Sequence, residues 1–336
     1  MQDGYGRNID YMRISITDRC NLRCRYCMPE RIETVSMSEI LTYEEIATVV
    51  EEAAEVGITR IKITGGEPLV RRDAARLIGM LKEIQGIEEV TLTTNGILLS
   101  EQMEELKQAG IGGINISLDT LDPKRYHQIT GFDQLDRVKA GIEAALSAGI
   151  PVKINAVSLE KEDVVPLIEL TKEHPLDVRF IELMPIGMGK GFPGIPHDEL
   201  IPWIRERYGE QKAEAPRPAS PDGITADDTR HGNGPAVYYR IPGYRGSIGF
   251  ISAIHGKFCD SCNRIRLTSQ GFLKSCLCYD IGVDVKEVLR NGLSGDKLRA
   301  GVRECLETCI LSKPDAHSFL HKDQISEQHT MSAIGG

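Results

Sequence analysis

Short β-branched runs alternate with longer stretches of helical periodicity through the first two thirds of the chain. Six runs read as strands: 11–16 (YMRISI), 60–64 (RIKIT), 89–93 (EVTLT), 114–118 (INISL), 151–157 (PVKINAV) and 177–183 (DVRFIEL). Amphipathic segments lie between them. In one, 42–56, Thr42 opens the first turn with Glu45 three residues on; in another, 101–109, Ser100 is the expected cap. This alternation predicts parallel βαβ units and an α/β fold, an incomplete (β/α)6 TIM-type barrel. The pattern stops near Tyr208, and residues 209–235, rich in Pro, Gly and Ala, read as a loop or linker. The expected organisation is therefore a partial barrel over 1–208 and a C-terminal region over 236–336. That region starts with a hairpin pattern (YYRIPGYRGSIGFISAI) and holds one clear helix near 294–310. The polar tail from about 312 is expected to be ordered only by docking.

Alternate side chains of a barrel strand face the interior. One face of the first five strands carries polar residues, among them Arg13, Lys62, Thr93, Ser117 and Lys153, while the other carries aliphatic residues such as Met12, Ile14, Ile61 and Ile63. The aliphatic face must lie under the helices, so the polar face lines the interior. Arg13, Lys62 and Lys153, with Arg179 on the sixth strand, then share one cavity. With no carboxylate assigned to that face, a polyanion such as a nucleoside triphosphate is the expected partner. Pairing among the interior residues themselves is the alternative.

Composition narrows the choice of partners. The 336 residues carry a net charge of -9, which disfavours general affinity for nucleic acid or anionic lipid. An anionic substrate must therefore meet a local cluster of cations. No run of about 18 apolar residues and no cationic flank before an apolar stretch occurs, so a cytoplasmic protein is expected. Six of the nine cysteines fall in two tight groups, a pattern that points to metal ligation in a reducing compartment. Cys20, Cys24 and Cys27 offer three thiols with no fourth nearby. A structural zinc site generally closes with four protein ligands, whereas a 4Fe-4S cluster on three thiolates keeps one iron open to a small molecule. The first cysteine group, GGEP (65–68), TTNG (93–96) and SLD (117–119) all follow the C-terminal ends of strands, where barrel active sites form. The second group is Cys259, Cys262 and Cys276. Cys278 would share a strand face with Cys276 and is either a further ligand or a buried thiol. Cys305 and Cys309 fall with Leu298 and Val302 on one helix face and read as core. The histidines show no ligand spacing.

The CxxxCxxC run, with Tyr26 before its last cysteine and GGEP after the next strand, resembles the radical S-adenosylmethionine (SAM) superfamily. The second cysteine group and the closing Met331-Ser332-Ala333-Ile334-Gly335-Gly336 extend the resemblance, over nearly the whole chain, to the GTP 3',8-cyclase family of molybdenum cofactor biosynthesis. The resemblance implies two 4Fe-4S clusters, one on Cys20, Cys24 and Cys27 and one on Cys259, Cys262 and Cys276. It implies SAM contacts at Tyr26, Gly66, Ser117 and Met184, the last by its parity through backbone. It implies GTP contacts at Arg13, Lys62, Thr93, Lys153, Arg264, Ile265 and Arg266, with Lys62 replacing the more usual arginine. Arg264, Arg266, Gly335 and Gly336 would be catalytic, the tail entering beside GTP and close to a cavity arginine. One electron would cleave SAM to methionine and a deoxyadenosyl radical that takes the ribose 3' hydrogen, after which the ribose carbon attacks guanine carbon 8. Implied partners are an electron donor protein and cyclic pyranopterin monophosphate synthase as recipient of the product; a homodimer is one open oligomeric state. The alternatives are a radical SAM peptide-modifying enzyme with an auxiliary cluster and a zinc-stabilised interaction module.

Overall fold

The computed structural model describes residues 1–29, 35–209, 224–227 and 232–335. Six strands follow the hydrophobic pattern to within two residues: β1 (Tyr11–Ser15), β2 (Arg60–Thr64), β3 (Glu89–Thr94), β4 (Ile114–Ser117), β5 (Val152–Val157) and β6 (Asp177–Ile181). They pair in parallel and in sequence order, each followed by helix: α1 (Tyr43–Glu55), α2 (Ala74–Lys82), α3 (Leu99–Gln108), α4 (Pro123–Thr130), α5 (Leu135–Ser147), α6 (Lys161–Glu173) and α7 (His197–Gly209). The aliphatic faces do lie under these helices. Met12, Ile14, Ile61, Ile63, Val90, Leu92 and Ile116 are fully buried, and each such side chain contributes roughly 1.5–3 kcal/mol of transfer free energy.

The C-terminal region does not build a separate layer. Its strands are β7 (Thr225–Asp227), β8 (Val237–Arg240), β9 (Ser247–Ile251), β10 (Arg264–Leu267), β11 (Phe272–Lys274) and β12 (Gly282–Asp284). They extend the same sheet at both edges, giving the order β12-β11-β10-β1-β2-β3-β4-β5-β6-β9-β8-β7. β10 runs parallel beside β1 and β9 parallel beside β6, while β7–β8, β8–β9, β10–β11 and β11–β12 pair antiparallel. Helices α8 (Val285–Arg290) and α9 (Gly295–Leu311) follow. α9 docks on α1 through Arg303, which holds the buried Glu52 carboxylate at 2.7 and 3.0 Å. The loop reading of 209–235 falls mostly outside the described residues. Within them, 225–227 are a strand and Gly232–Pro235 reach the central cavity.

Two local expectations have different outcomes. Thr42 and Glu45 form the reciprocal capping box, with Glu45 N–H donating to Thr42 Oγ1 at 3.1 Å and Thr42 N–H to Glu45 Oε2 at 2.7 Å. Ser100, in contrast, is no cap. The chain turns at Gly96, which has φ of 82°, and α3 starts two residues earlier than expected, drawn in by the fully buried Leu99. The tail is held against the body. Lys313 Nζ donates to the Arg264 and Ser275 carbonyls at 2.9 and 2.8 Å, and Phe319, Ile325 and Ile334 are buried with Ile186 and Cys278.

Candidate active site

A single cavity of about 1020 Å³ runs from the C-terminal ends of the parallel strands to their N-terminal ends. Its upper end is the loop after β1. Arg23 and Arg25 N–H groups donate to the Thr130 and Ile129 carbonyls, fixing this loop to the end of α4. Tyr26 donates to Asp119 Oδ2 at 2.6 Å, and the other oxygen of that carboxylate accepts from Val157 N–H at 2.8 Å, so the loop is tied to the ends of β4 and β5. Burial pushes the Cys20 thiol up to about 11, Cys27 up to about 12 and Cys24 well above its usual range. Thiolates here therefore need a multiply charged cation beside them. Three soft thiol donors on one loop, lining an open cavity, fit an iron-sulfur cluster.

The GGEP turn shows why both glycines are there. A Cβ at Gly65 would lie 2.7 Å from the Thr17 carbonyl oxygen, and one at Gly66 only 2.4 Å from that of Arg19. The two loops approach too closely for any side chain. Glu67 locks the turn by accepting from Leu69 N–H, Thr94 Oγ1 and Asn95 N–H at 3.0, 2.7 and 2.6 Å; burial raises its carboxyl to about 7 against the pull of these donors. Asn95 in turn donates to Asn21 at 2.7 Å, beside Cys20. GGEP and TTNG were conspicuous in sequence, but the Glu67–Asn95 link between them is a product of strand adjacency and could not be read from either. Tyr26, Gly66, Ser117 and Met184 all border this upper half.

The lower end is cationic. Arg266, Arg13 and Lys62 are register partners on β10, β1 and β2, so three cations stand side by side at one level. Burial lowers the pKa of all three, and mutual repulsion adds to it. Among the described residues Lys62 makes no ion pair. The expectation that no carboxylate serves this face needs correction. Lys153 pairs with Asp177 at 3.3 Å, and Glu89, on the same β3 face as Thr91 and Thr93, borders the cavity and accepts from Asn233. Arg179 donates to Asn155 at 2.9 Å, and Arg264 lies over the Phe258 ring at 5.3 Å. Thr93 accepts a long 3.5 Å bond from Asn115. Ile265 is not brought in: its side chain is fully buried on the aliphatic face, leaving only its backbone along the cation row.

Cys259, Cys262 and Cys276 line this lower end. Cys262 precedes β10, whose first residue pairs with Tyr11 at the start of β1, and Cys276 follows the antiparallel β11 back to the same level. Burial disfavours the Cys262 thiolate, but Arg264 and Lys313 outweigh it and lower its pKa; burial raises Cys259. Three thiols in an open cavity again fit a cluster. Cys278 does not share a strand face with Cys276, since β11 ends at Lys274. It is fully buried in a small apolar cluster with Ile186, Phe319 and Ile334, where Ser318 N–H donates to its sulfur at 3.4 Å. Cys305 and Cys309 are core.

The tail enters the same cavity. Arg266 Nη1 donates to the Gly335 carbonyl at 2.9 Å. Gly335 has φ of 71°, and a Cβ there would lie 2.8 Å from that of Ser15, so the position demands glycine. Gly336 lies outside the described residues.

Two family models divide the chain: the Radical SAM superfamily matches residues 14–173, and Molybdenum Cofactor Synthesis C matches 176–319. Solved structures of Streptococcus suis SuiB, bound to S-adenosylmethionine or to the precursor peptide SuiA, share the fold at TM-scores of 0.61 and 0.62 and identities of 15% and 16%. Each alignment covers 97% of this chain, with 77% and 76% of the SuiB chains. Full-length relatives stand much nearer. The chain is 44% identical to the GTP 3',8-cyclase of Clostridium perfringens (strain 13 / Type A) and 43% identical to that of Moorella thermoacetica, each over 100% of both chains. With two sets of three thiols facing one cavity and this identity end to end, the chain belongs to the GTP 3',8-cyclase family of radical SAM enzymes.

Proposed function

We propose that the chain is a radical SAM cyclase that converts GTP to (8S)-3',8-cyclo-7,8-dihydroguanosine 5'-triphosphate, the first step of molybdenum cofactor biosynthesis. Cys20, Cys24 and Cys27 would hold one 4Fe-4S cluster, and Cys259, Cys262 and Cys276 the other. When bound, the upper cluster and SAM would supply the one-electron chemistry that removes the ribose 3' hydrogen. The rest falls to the chain's own side chains. The observation that carries the reading is one cavity with three thiols at each end and an in-register row of Arg266, Arg13 and Lys62 between. At about 1020 Å³ it is large enough for two nucleoside-sized ligands end to end.

In this reading Tyr26, Gly66, Ser117 and the Met184 backbone bind SAM above. The Asp119–Tyr26 bond orients the loop that carries the first thiols. Arg13, Lys62, Lys153 and Arg179 take the triphosphate, which relieves a repulsion among buried cations that the carboxylates Asp177 and Glu89 offset only in part. Arg264 and Arg266 hold the nucleotide by charge-assisted hydrogen bonds, and the Gly335 backbone fills space beside it where a side chain could not fit. Proximity of the two ligands and exclusion of water are the chain's contribution to rate. The reaction needs a one-electron donor protein from outside the chain, and the product would pass to cyclic pyranopterin monophosphate synthase. No helix among the described residues is long and apolar enough to cross a membrane; a cytoplasmic site and a homodimer are compatible with the reading. A peptide substrate is disfavoured by the buried cation row, which calls for a polyanion.

Anaerobic reconstitution with iron and sulfide, followed by GTP, SAM and a reductant, tests it. Deoxyadenosine and the cyclised nucleotide should form together, and only with GTP present. Deoxyadenosine formed equally without GTP would sink the substrate assignment.

A further inference from the structure

Beyond its apolar contacts, the C-terminal strap, residues 312–335, is fastened by a buried ion pair. Glu327 and Lys274 meet at 2.5 Å with side chains 0% and 1% exposed. Lys274 ends β11, and its register partner on β10 is Arg266, the residue that donates to the Gly335 carbonyl. The anchor and the functional contact of the strap are thus on neighbouring strands at one level of the sheet. Around the anchor, Glu327 Oε1 accepts from the N–H and Nδ1 of His329 at 2.7 and 2.9 Å, and Asp280 approaches Lys274 at 3.3 Å. The Glu327 backbone is tied at both ends, its N–H to the Cys278 carbonyl at 3.3 Å and its carbonyl to Lys190 Nζ at 3.4 Å.

An apolar pair of similar volume would hold a strap as firmly, because two buried charges must first be desolvated. Buried polar residues set register in coiled coils, and a carboxylate that must find one buried cation can select a single register in the same way. The strap needs that. Its Gly335 must arrive at a point where even a Cβ would collide with Ser15, so a strap advanced by one residue would bring Ile334 into a space that admits only glycine.

We propose that the Glu327–Lys274 pair is a positioning device for the active site, setting the register in which the strap enters the cavity and so placing the Gly335 carbonyl on Arg266. Its consequence for turnover rests on the cyclase reading; the seating of the strap does not. The test uses the reconstituted full chain with Glu327→Gln, Lys274→Met and the double variant Glu327→Leu/Lys274→Met, with Glu52→Gln as a control that breaks the buried contact to Arg303 far from the strap. Amide hydrogen exchange over 328–335, iron content and the ratio of cyclised nucleotide to deoxyadenosine are measured. Each single variant should speed exchange of the strap about ten-fold or more and lower the ratio about five-fold or more, with iron unchanged. The double variant should recover protection by packing but not the ratio, and Glu52→Gln should lower thermal stability while moving neither readout. Wild-type exchange in Glu327→Gln, or a ratio fully restored in the apolar double variant, would overturn the proposal. If the wild-type chain formed no cyclised nucleotide the cyclase reading would fail, yet exchange of the strap would still decide whether the pair anchors it.

Discussion

The two cysteine sites offer the same three thiols to one cavity but are built in opposite ways. The upper site is a contiguous loop of eight residues after one strand, and its thiols are buried without a cationic side chain strong enough to offset burial, so all three are pushed up. The lower site is assembled from the turn before β10 and the end of β11, on the opposite rim of the sheet. There Arg264 and Lys313 stand beside the sulfurs and bring Cys262 down despite its burial. The difference suits the two tasks proposed. In that reading the upper end would receive a sulfonium ligand and need no cations, and the lower end, surrounded by cations, would receive a polyanion.

The largest expected effect is on metal content. Cys24→Ala and Cys262→Ala should each leave about four of about eight irons per chain, by anaerobic metal analysis, and each should abolish product. Loss of iron in Cys278→Ala would break the equivalence of two three-thiol sites, because that thiol is packed away from the cavity. Next comes the tail between the sites. Gly335→Val should cut cyclised product about a hundred-fold with iron unchanged, since a Cβ would collide with Ser15 and displace the contact to Arg266. A variant that cyclises at the wild-type rate would show that the contact is idle.

Among the cations, Lys62→Ala should weaken GTP binding roughly thirty-fold to several thousand-fold, read by equilibrium titration, and leave SAM binding nearly unchanged. Lys153→Ala should lose less, because Asp177 already pairs with that lysine. The reverse order would mean that the lower cavity binds its anion elsewhere. The smallest effect belongs to the upper rim. Glu182 there accepts from the backbone N–H groups of His197, Ile254 and His255 and from the His255 ring, and these donors lower it although burial acts the other way. His197, buried against Ser252 and Phe250, is lowered by burial to about 4. The unfolded chain takes up a proton on His197 below about 6.5 that the folded chain refuses until about 4, so the His197 contribution to stability should fall as pH drops through that window, by on the order of 1–3 kcal/mol, while buried Glu67 and Asp119, raised to about 7 and about 6, act in the opposite direction. Urea midpoints of the wild-type chain and of His197→Gln at pH 7 and pH 5 isolate it: lowering the pH should cost the wild-type chain more stability, or gain it less, than the variant. The same pH dependence in both chains would remove His197 from the account of the upper rim.

Local readings succeeded where the cause was local. The capping box at Thr42 and Glu45 spans three residues and formed, while Ser100 failed as a cap because the buried Leu99 before it pulled the helix start forward. Parity along single strands placed Arg13, Lys62, Lys153 and Arg179 in one cavity correctly. It missed Glu89, which shares the β3 face with Thr91, and could not see Asp177 pairing with Lys153 across β5 and β6. The histidines, unassigned from spacing, include His197 and His255 on one carboxylate, a link made by the β6–β9 pairing.

The sequence by itself determined the strands, the faces they bury and the upper metal loop, because side-chain periodicity and an eight-residue motif are properties of the chain before it folds. Only the tertiary structure decided that β10 seats beside β1, which puts Arg266 level with Arg13 and Lys62 and brings the lower cysteines to the opposite end of the same cavity. It also decided that the tail crosses back to meet Arg266 through an anchor on the neighbouring strand. Those contacts join residues tens to hundreds of positions apart. Their energies depend on which surfaces are desolvated together, and no local pattern encodes that.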